Sequence, residues 1–269
     1  MSFATTDRHS SQNRISPVFL VLVAILGTSA WAVAAGYGNS RFGVFLFVVA
    51  GWMVSLCLHE YAHARTALHS GDISIGAKGY LTLNPFKYAH AMLSFVLPVI
   101  FVIMGGIGLP GGAVFIERHR IRGRLKHSLI SAAGPLVNLV LGIGLLLLVG
   151  SGLFDDPGLT SPVNGFDLPV APFPAALSFL AYLQITAAIL NFLPVPGLDG
   201  YGIVEPWLSY RTRRAVEPFA PYGMLLLFLV IWQTEAGRWL SRLALWIMDL
   251  FGVENYLVAV GDALFRFWS

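Results

Sequence analysis

The sequence predicts an all-α polytopic membrane protein of about five to six transmembrane helices, with a short re-entrant or β-like segment near its active site. Three observations carry this expectation. Of the 269 residues, 56% are hydrophobic and only 12% charged, about half the charged share of a soluble domain. The apolar residues gather into runs close to the roughly 20 needed to cross a bilayer. The Lys and Arg residues lie in short loops between those runs; such loops more commonly set span orientation than bind a nucleic acid, so the net charge of +3 is read as orientation and no nucleic-acid partner is expected.

The elements are read in chain order. The first run, VFLVLVAILGTSAWAVAA, follows Arg8 and Arg14 and ends in AWAVAA, which resembles a signal-peptide cleavage site. It is longer than the apolar core of a usual signal peptide, which favours a retained span over 17–35. A second span is expected at 43–66. Residues 91–109 are also long enough to cross, but Pro98, Gly105, Gly106 and Gly108 interrupt them. Further spans are expected at 128–150 and 174–193, with a shorter one near 219–234. In 238–268, Trp239, Leu243, Trp246 and Leu250 stand at helical spacing among charged positions, which predicts an amphipathic tail at the interface. Internal repeats and low-complexity tracts are absent, and no stretch leaves room for a separate soluble domain. Residues 1–269 therefore read as a single membrane-embedded domain: a tail and first span over 1–40, a core over 43–200, and the amphipathic tail. One cysteine, Cys57, rules out an internal disulfide.

Loop charge orients the spans. Residues 117–127, ERHRIRGRLKH, hold five Lys or Arg, and residues 211–214 hold three Arg, whereas the 151–173 loop holds Asp155, Asp156 and Asp167 and no base. The positive-inside rule places the two basic loops in the cytoplasm and the acidic loop outside.

The chemistry begins at HEYAH, residues 59–63, which follow a fifteen-residue run without charge, VFLFVVAGWMVSLCL. Residues four apart share a helix face, so His59 and His63 can hold one metal ion with Glu60 beside it. Neutral imidazoles suit zinc, and the glutamate can take a proton from water. The bland alternative, two helix-end histidines and an interfacial glutamate, is weaker because each charge inside a span costs roughly 2.5–3.5 kcal/mol and usually marks function. A catalytic zinc site wants a third protein ligand. NFLPVPGLDG, residues 191–200, offers Asp199: Pro194 and Pro196 end a helix there, and non-helical backbone at membrane depth is tolerated only when buried in protein or lining a wet cavity. Taken alone, Asp199 before Gly200 is an ordinary turn aspartate; beside HEYAH it becomes a ligand candidate.

HEYAH in an apolar helix, GPLVN at 134–138 and NFLPVPGLDG at 191–200 resemble, in order and approximate spacing, the motifs of the site-2 proteases, the intramembrane zinc metalloproteases. LTLNPFKYAHAMLSFVLP, followed by GLPGGAVF, resembles the compact branch of that family that lacks a PDZ domain. The resemblance runs from about residue 43 to the tail. It implies a Zn2+ cofactor held by His59, His63 and Asp199, with Glu60 as general base. It further implies that Asn138 and Asn191 face the site and hold substrate backbone or stabilise an oxyanion, although a helix–helix hydrogen bond accounts for each equally well. The expected activity is hydrolysis of peptide bonds within or near transmembrane segments. The implied substrate is a single-span membrane protein, such as an anti-sigma factor or a membrane-tethered transcription factor, already shortened by another protease. The expected location is a bacterial-type inner or plasma membrane. A substrate would need unwinding, and residues 112–123 partly alternate, which makes them a candidate edge for an extended peptide; a solvated basic loop is the competing reading.

Two other classes compete with this reading. A metal transporter would repeat ligands along a pathway, and here they converge on one point. An inactive scaffold would be favoured by loss of a ligand or of Glu60, and none is lost. For His59 to meet Asp199, the 43–66 span must run inward, which puts the N-terminus in the cytoplasm and Ser70 and His127 on one side. Residues 91–109 are then expected to enter and leave by the cytoplasmic face.

Overall fold

A computed structural model of the chain describes residues 15–88, 114–154, 158–163 and 166–268. The run at 91–109, with its expected reversal, lies outside them.

Helix α1 (Pro17–Ala34) opens on Ser16, whose side chain accepts from the Val18 N–H, with proline at its first position. Helix α2 (Ser40–Ser70) is capped by Asn39 and stops at Gly71, whose φ of 124° ends the helix at little steric cost. A short α3 (Ser74–Lys78) follows. Beyond residue 113 come α4 (Arg124–Gly150), a strand pair β1 (Ser161–Val163) and β2 (Phe166–Leu168), and α5 (Pro172–Phe192). The chain continues through α6 (Asp199–Val204), α7 (Tyr210–Val216), α8 (Gly223–Gln233), α9 (Ala236–Asp249) and α10 (Asn255–Phe265). Among the described residues, five stretches are long and apolar enough to cross a membrane: α1, α2, α4, α5 and residues 210–233, which include α7 and α8. The outer faces of α1 and α4 expose Leu20, Val21, Trp31, Leu129, Val140 and Leu147, an apolar surface that suits lipid and would be a liability in water.

Helix α5 is the hub, with 19 of its 21 residues buried. Small residues let its neighbours approach closely, as in other helical membrane bundles. A β-carbon on Gly51 of α2 would lie 2.7 Å from Leu180, and one on Gly142 of α4 would lie 2.7 Å from Ile185. Helices α2 and α5 run in the same direction: Phe47 meets Phe173, with ring centroids 5.5 Å apart, and Ser55 meets Gln184 further along. Helix α4 runs against α2, with Asn138 opposite His59 and Ile130 opposite His63. Lys126 Nζ donates to the Ser70 carbonyl at 3.3 Å, so the end of α2 and the start of α4 share one side, as the meeting of the motifs requires.

Residues 238–268 present Trp239, Leu243 and Trp246 on an exposed face, but their other face belongs to the bundle. Tyr182 OH, midway along α5, donates to Ser241 Oγ at 2.9 Å, and Leu240, Ala244 and Met248 are buried. A β-carbon on Gly261 of α10 would lie 2.2 Å from the Ala175 carbonyl oxygen. Arg41, at the start of α2, donates to the carbonyls of Ala263 and Arg266 at 3.3 and 3.0 Å. The β1–β2 pair packs on α10 in the loop before α5. Residues 114–117 carry neither helix nor strand.

Candidate metal centre

His59 and His63 lie one helical turn apart on the buried face of α2, where both are at most 6% exposed. The third group arrives by a sharp chain reversal. Helix α5 ends at Phe192; Pro194 and Pro196 cannot donate backbone bonds, and Gly197 turns the chain with φ 93°. Gly200 then sits against the carbonyls of Phe192 and Leu193, where a β-carbon would lie only 2.4 and 2.3 Å away. This fold-back sets Asp199 at the start of α6, facing the histidines. Its Oδ2 lies 3.1 Å from His59 Nε2 and 3.3 Å from His63 Nε2, and the two Nε2 atoms are 3.0 Å apart.

The donor set fits zinc. His63 Nδ1 donates to the Ile130 carbonyl at 2.6 Å, and His59 Nδ1 meets Asn138 Oδ1 at 2.5 Å. With their protons held at Nδ1, the neutral rings point lone pairs from Nε2 toward the Asp199 carboxylate. Three acceptors facing one point repel each other, and a divalent cation relieves that repulsion. Ligands at 2.0–2.1 Å in a tetrahedron stand about 3.3–3.4 Å apart, close to the spacing here. The space exists because position 134 is glycine, where a β-carbon would lie 2.2 Å from His63 Nε2 and 2.4 Å from His59 Nε2.

The three groups open onto a cavity of about 510 Å³, lined also by Glu60, Asn191, Ser131, Arg118 and residues 114–116. Glu60 is 2% exposed, and its Oε2 has no hydrogen-bond partner among the described residues. Pro135 cannot donate to the carbonyl of Ser131, which leaves that carbonyl without its helical partner beside the cavity. Asn191, in the last turn of α5, lines the cavity. Asn138 does not; its oxygen is taken by His59 and its nitrogen donates to Gln184 Oε1 at 2.7 Å.

Residues 114–117 are fastened to the cavity wall from outside the bundle. Asp72 is fully buried; it accepts from the Glu117 N–H at 2.7 Å and from the Ser74 N–H and hydroxyl at 3.0 and 2.6 Å. Burial pushes the Asp72 carboxyl up, but these bonds outweigh it and hold the group below the usual carboxylate range. Lys78 Nζ donates to the Phe115 carbonyl and to Glu117 at 3.1 and 3.2 Å. Hydrogen bonds from Arg120 first, then from Lys78 and Ser74, bring Glu117 down to about 2.

The structure brings together His59, Glu60, His63, Asp199 and Asn191, and sets Asn138 behind His59. Gln184, Ser55 and the packing role of Gly134 stand outside the sequence expectations and enter only with the fold. The signal for Gln184 is an amide in the middle of a predicted span, which needs hydrogen-bond partners at membrane depth.

The fold is that of a multi-pass membrane protein, and its buried His59 and His63 form, with Asp199, a group that could hold a metal ion. The chain is 45% identical to Rip2 of Mycolicibacterium smegmatis over 260 residues, 95% of each protein. It is 42% identical to Rip2 of Mycobacterium tuberculosis H37Rv, again over 95% of each. With YwhC of Bacillus subtilis it shares 31% identity over 78% of this chain and 89% of that protein. All three relatives are named as zinc metalloproteases. No family model and no solved structure matches the chain. The chain belongs to the family of these zinc metalloproteases, the site-2 protease family that its three motifs resemble.

Proposed function

We propose that this protein is an intramembrane endopeptidase that hydrolyses peptide bonds within or near the transmembrane segment of a single-span membrane protein. The observation that carries the reading is the convergence of two imidazoles and a carboxylate, 3.0–3.3 Å apart, on helices long and apolar enough to cross a bilayer. His59, His63 and Asp199 would hold the zinc, which when bound polarises a carbonyl and acidifies water.

The remaining work falls to the chain itself. Glu60 brings Oε2, an acceptor without a hydrogen-bond partner among the described residues, to the wall of the cavity. There it accepts the proton of the attacking water and returns it to the departing amine nitrogen. Asn191 and residues 114–116 line the same cavity and hold the unwound peptide beside Glu60. Unwinding is required because a helical substrate's carbonyls are engaged in its own hydrogen bonds. Membrane-tethered regulators already trimmed by another protease fit this site, since a short free end can thread into a cavity that a folded domain cannot enter.

The test is cleavage of a single-span protein in liposomes by the purified chain, with fragments mapped by mass spectrometry. We expect cuts inside or within a few residues of the span, abolished by Glu60→Gln. Cuts confined to a soluble domain, or cuts that persist in Glu60→Gln, overturn the reading.

A further inference from the structure

The carbonyl of Trp52 can only accept a hydrogen bond, and Ser55 Oγ lies 2.8 Å from it. The Ser55 hydroxyl therefore donates, and its oxygen receives Gln184 Nε2 at 2.8 Å. That contact turns Gln184 Oε1 toward Asn138, where it accepts Nδ2 at 2.7 Å. Asn138 then presents only its carbonyl oxygen to His59, and Oδ1 takes the Nδ1 proton at 2.5 Å. Ser55, Gln184, Asn138 and His59 are all at most 4% exposed, so solvent does not compete for any link. Each donor-to-acceptor direction follows from the one before it.

We propose that Gln184, anchored by Ser55, is a positioning residue for metal binding: it fixes the tautomer of His59 from a different span. The inference rests on the zinc-site reading above. If Gln184 did not hold Asn138 in this orientation, the amide could rotate and offer Nδ2 to His59 Nδ1. The ring proton would then sit on Nε2, facing Asp199 and His63, where a metal needs a lone pair. The α2–α5 packing that brings Ser55 to Gln184 is thereby coupled to the ligand.

The test measures zinc affinity of the full-length chain in detergent by competition with a chelator, and thermal unfolding of each variant. Gln184→Met keeps the length and removes both polar atoms; we expect zinc binding weakened about 10–100-fold, the range for losing a ligand's outer partner. Gln184→Glu retains an oxygen that accepts from Asn138, the Ser55 hydroxyl can turn from the Trp52 carbonyl to donate to the other oxygen, and the variant should bind zinc within about threefold of wild type. A packing role alone predicts the opposite ranking, because methionine suits an apolar core and a buried glutamate does not. Should Gln184→Met fail to fold, Ser55→Ala removes the anchor with a smaller change and should weaken zinc about 3–10-fold. Wild-type affinity in a folded Gln184→Met or in Ser55→Ala overturns the proposal, as does a Glu variant weaker than the Met variant. Full zinc occupancy in His59→Ala would instead overturn the site reading on which it rests.

Discussion

Gly134 faces His63 so closely that a β-carbon would lie 2.2 Å from Nε2, well inside the contact distance of any two unbonded heavy atoms. The glycine of GPLVN thus keeps open the volume that a metal held by His59, His63 and Asp199 would occupy. Gly134→Ala should fold and lose zinc, with less than about a tenth of the wild-type content. Gly144→Ala is the control on the same helix, since a β-carbon there meets nothing within 4 Å. Zinc analysis of both proteins checks the pair; equal zinc in both would show that the metal lies elsewhere.

His59→Ala, His63→Ala and Asp199→Ala should each lose stoichiometric zinc, because two remaining donors and water do not make a closed tetrahedral set. Asp199→Asn keeps shape and one oxygen but loses the charge, and should fall between the alanine variant and wild type. Atomic absorption on the purified variants measures this. Stoichiometric zinc in any of the three alanine variants removes that residue from the ligand set.

Glu60→Gln should retain zinc, since Glu60 is not among the three converging donors. Turnover should fall about 10²–10⁴-fold, the usual contribution of a positioned base. Zinc content and fragment yield from one preparation separate the two effects. Near-normal cleavage would assign the base to another group.

Glu117 should titrate with a midpoint near 2, far from the 4.5 of an unperturbed glutamate. Arg120, Lys78, His119 and Asp72 all lie near it. A carboxyl held down in the folded state contributes fully above pH 4.5 and loses that contribution as pH falls toward 2. The fastening of 114–117 should therefore survive acidification from pH 7 to 5. Carbon-detected NMR of labelled glutamate measures the midpoint, which should move toward 4.5 in Arg120→Gln; a midpoint near 4.5 in the unaltered chain contradicts the contact.

On a Cys57→Ser background, single cysteines at Ser70 and Arg122 should react with an impermeant reagent from the same side. The Lys126–Ser70 bond puts both ends together. Labelling from opposite faces would break the arrangement of α2 and α4.

What the sequence disclosed, and what it withheld, divides along physical lines. His59 and His63 were legible because one helix fixes their spacing, and Asp199 because prolines beside a ligand motif force a loop into a buried place. Gln184 and Ser55 are 129 residues apart, and their meeting depends on the register of α2 against α5, which apolar periodicity does not specify. Gly134 is intelligible only from what it faces. The place of residues 238–268 in the bundle was hidden for a similar reason: their amphipathic spacing suits an interface, and the Tyr182–Ser241 contact that draws them onto α5 is visible only in the fold.

The bonds from Arg41 to Ala263 and Arg266 join residues separated by 222 and 225 positions. At about 5–20 residues per second, a ribosome takes about ten to forty-five seconds to travel between them. Asp199 emerges well before α10, so the metal ligands are all synthesised while the hub helix still lacks one wall and the charge at the head of α2 still awaits its carbonyls. Synthesis thus passes through a stage that has its ligands but not its enclosure, and the last helix acts as the closing piece of assembly. A nascent chain arrested before residue 255 should be the form most readily removed by membrane quality control.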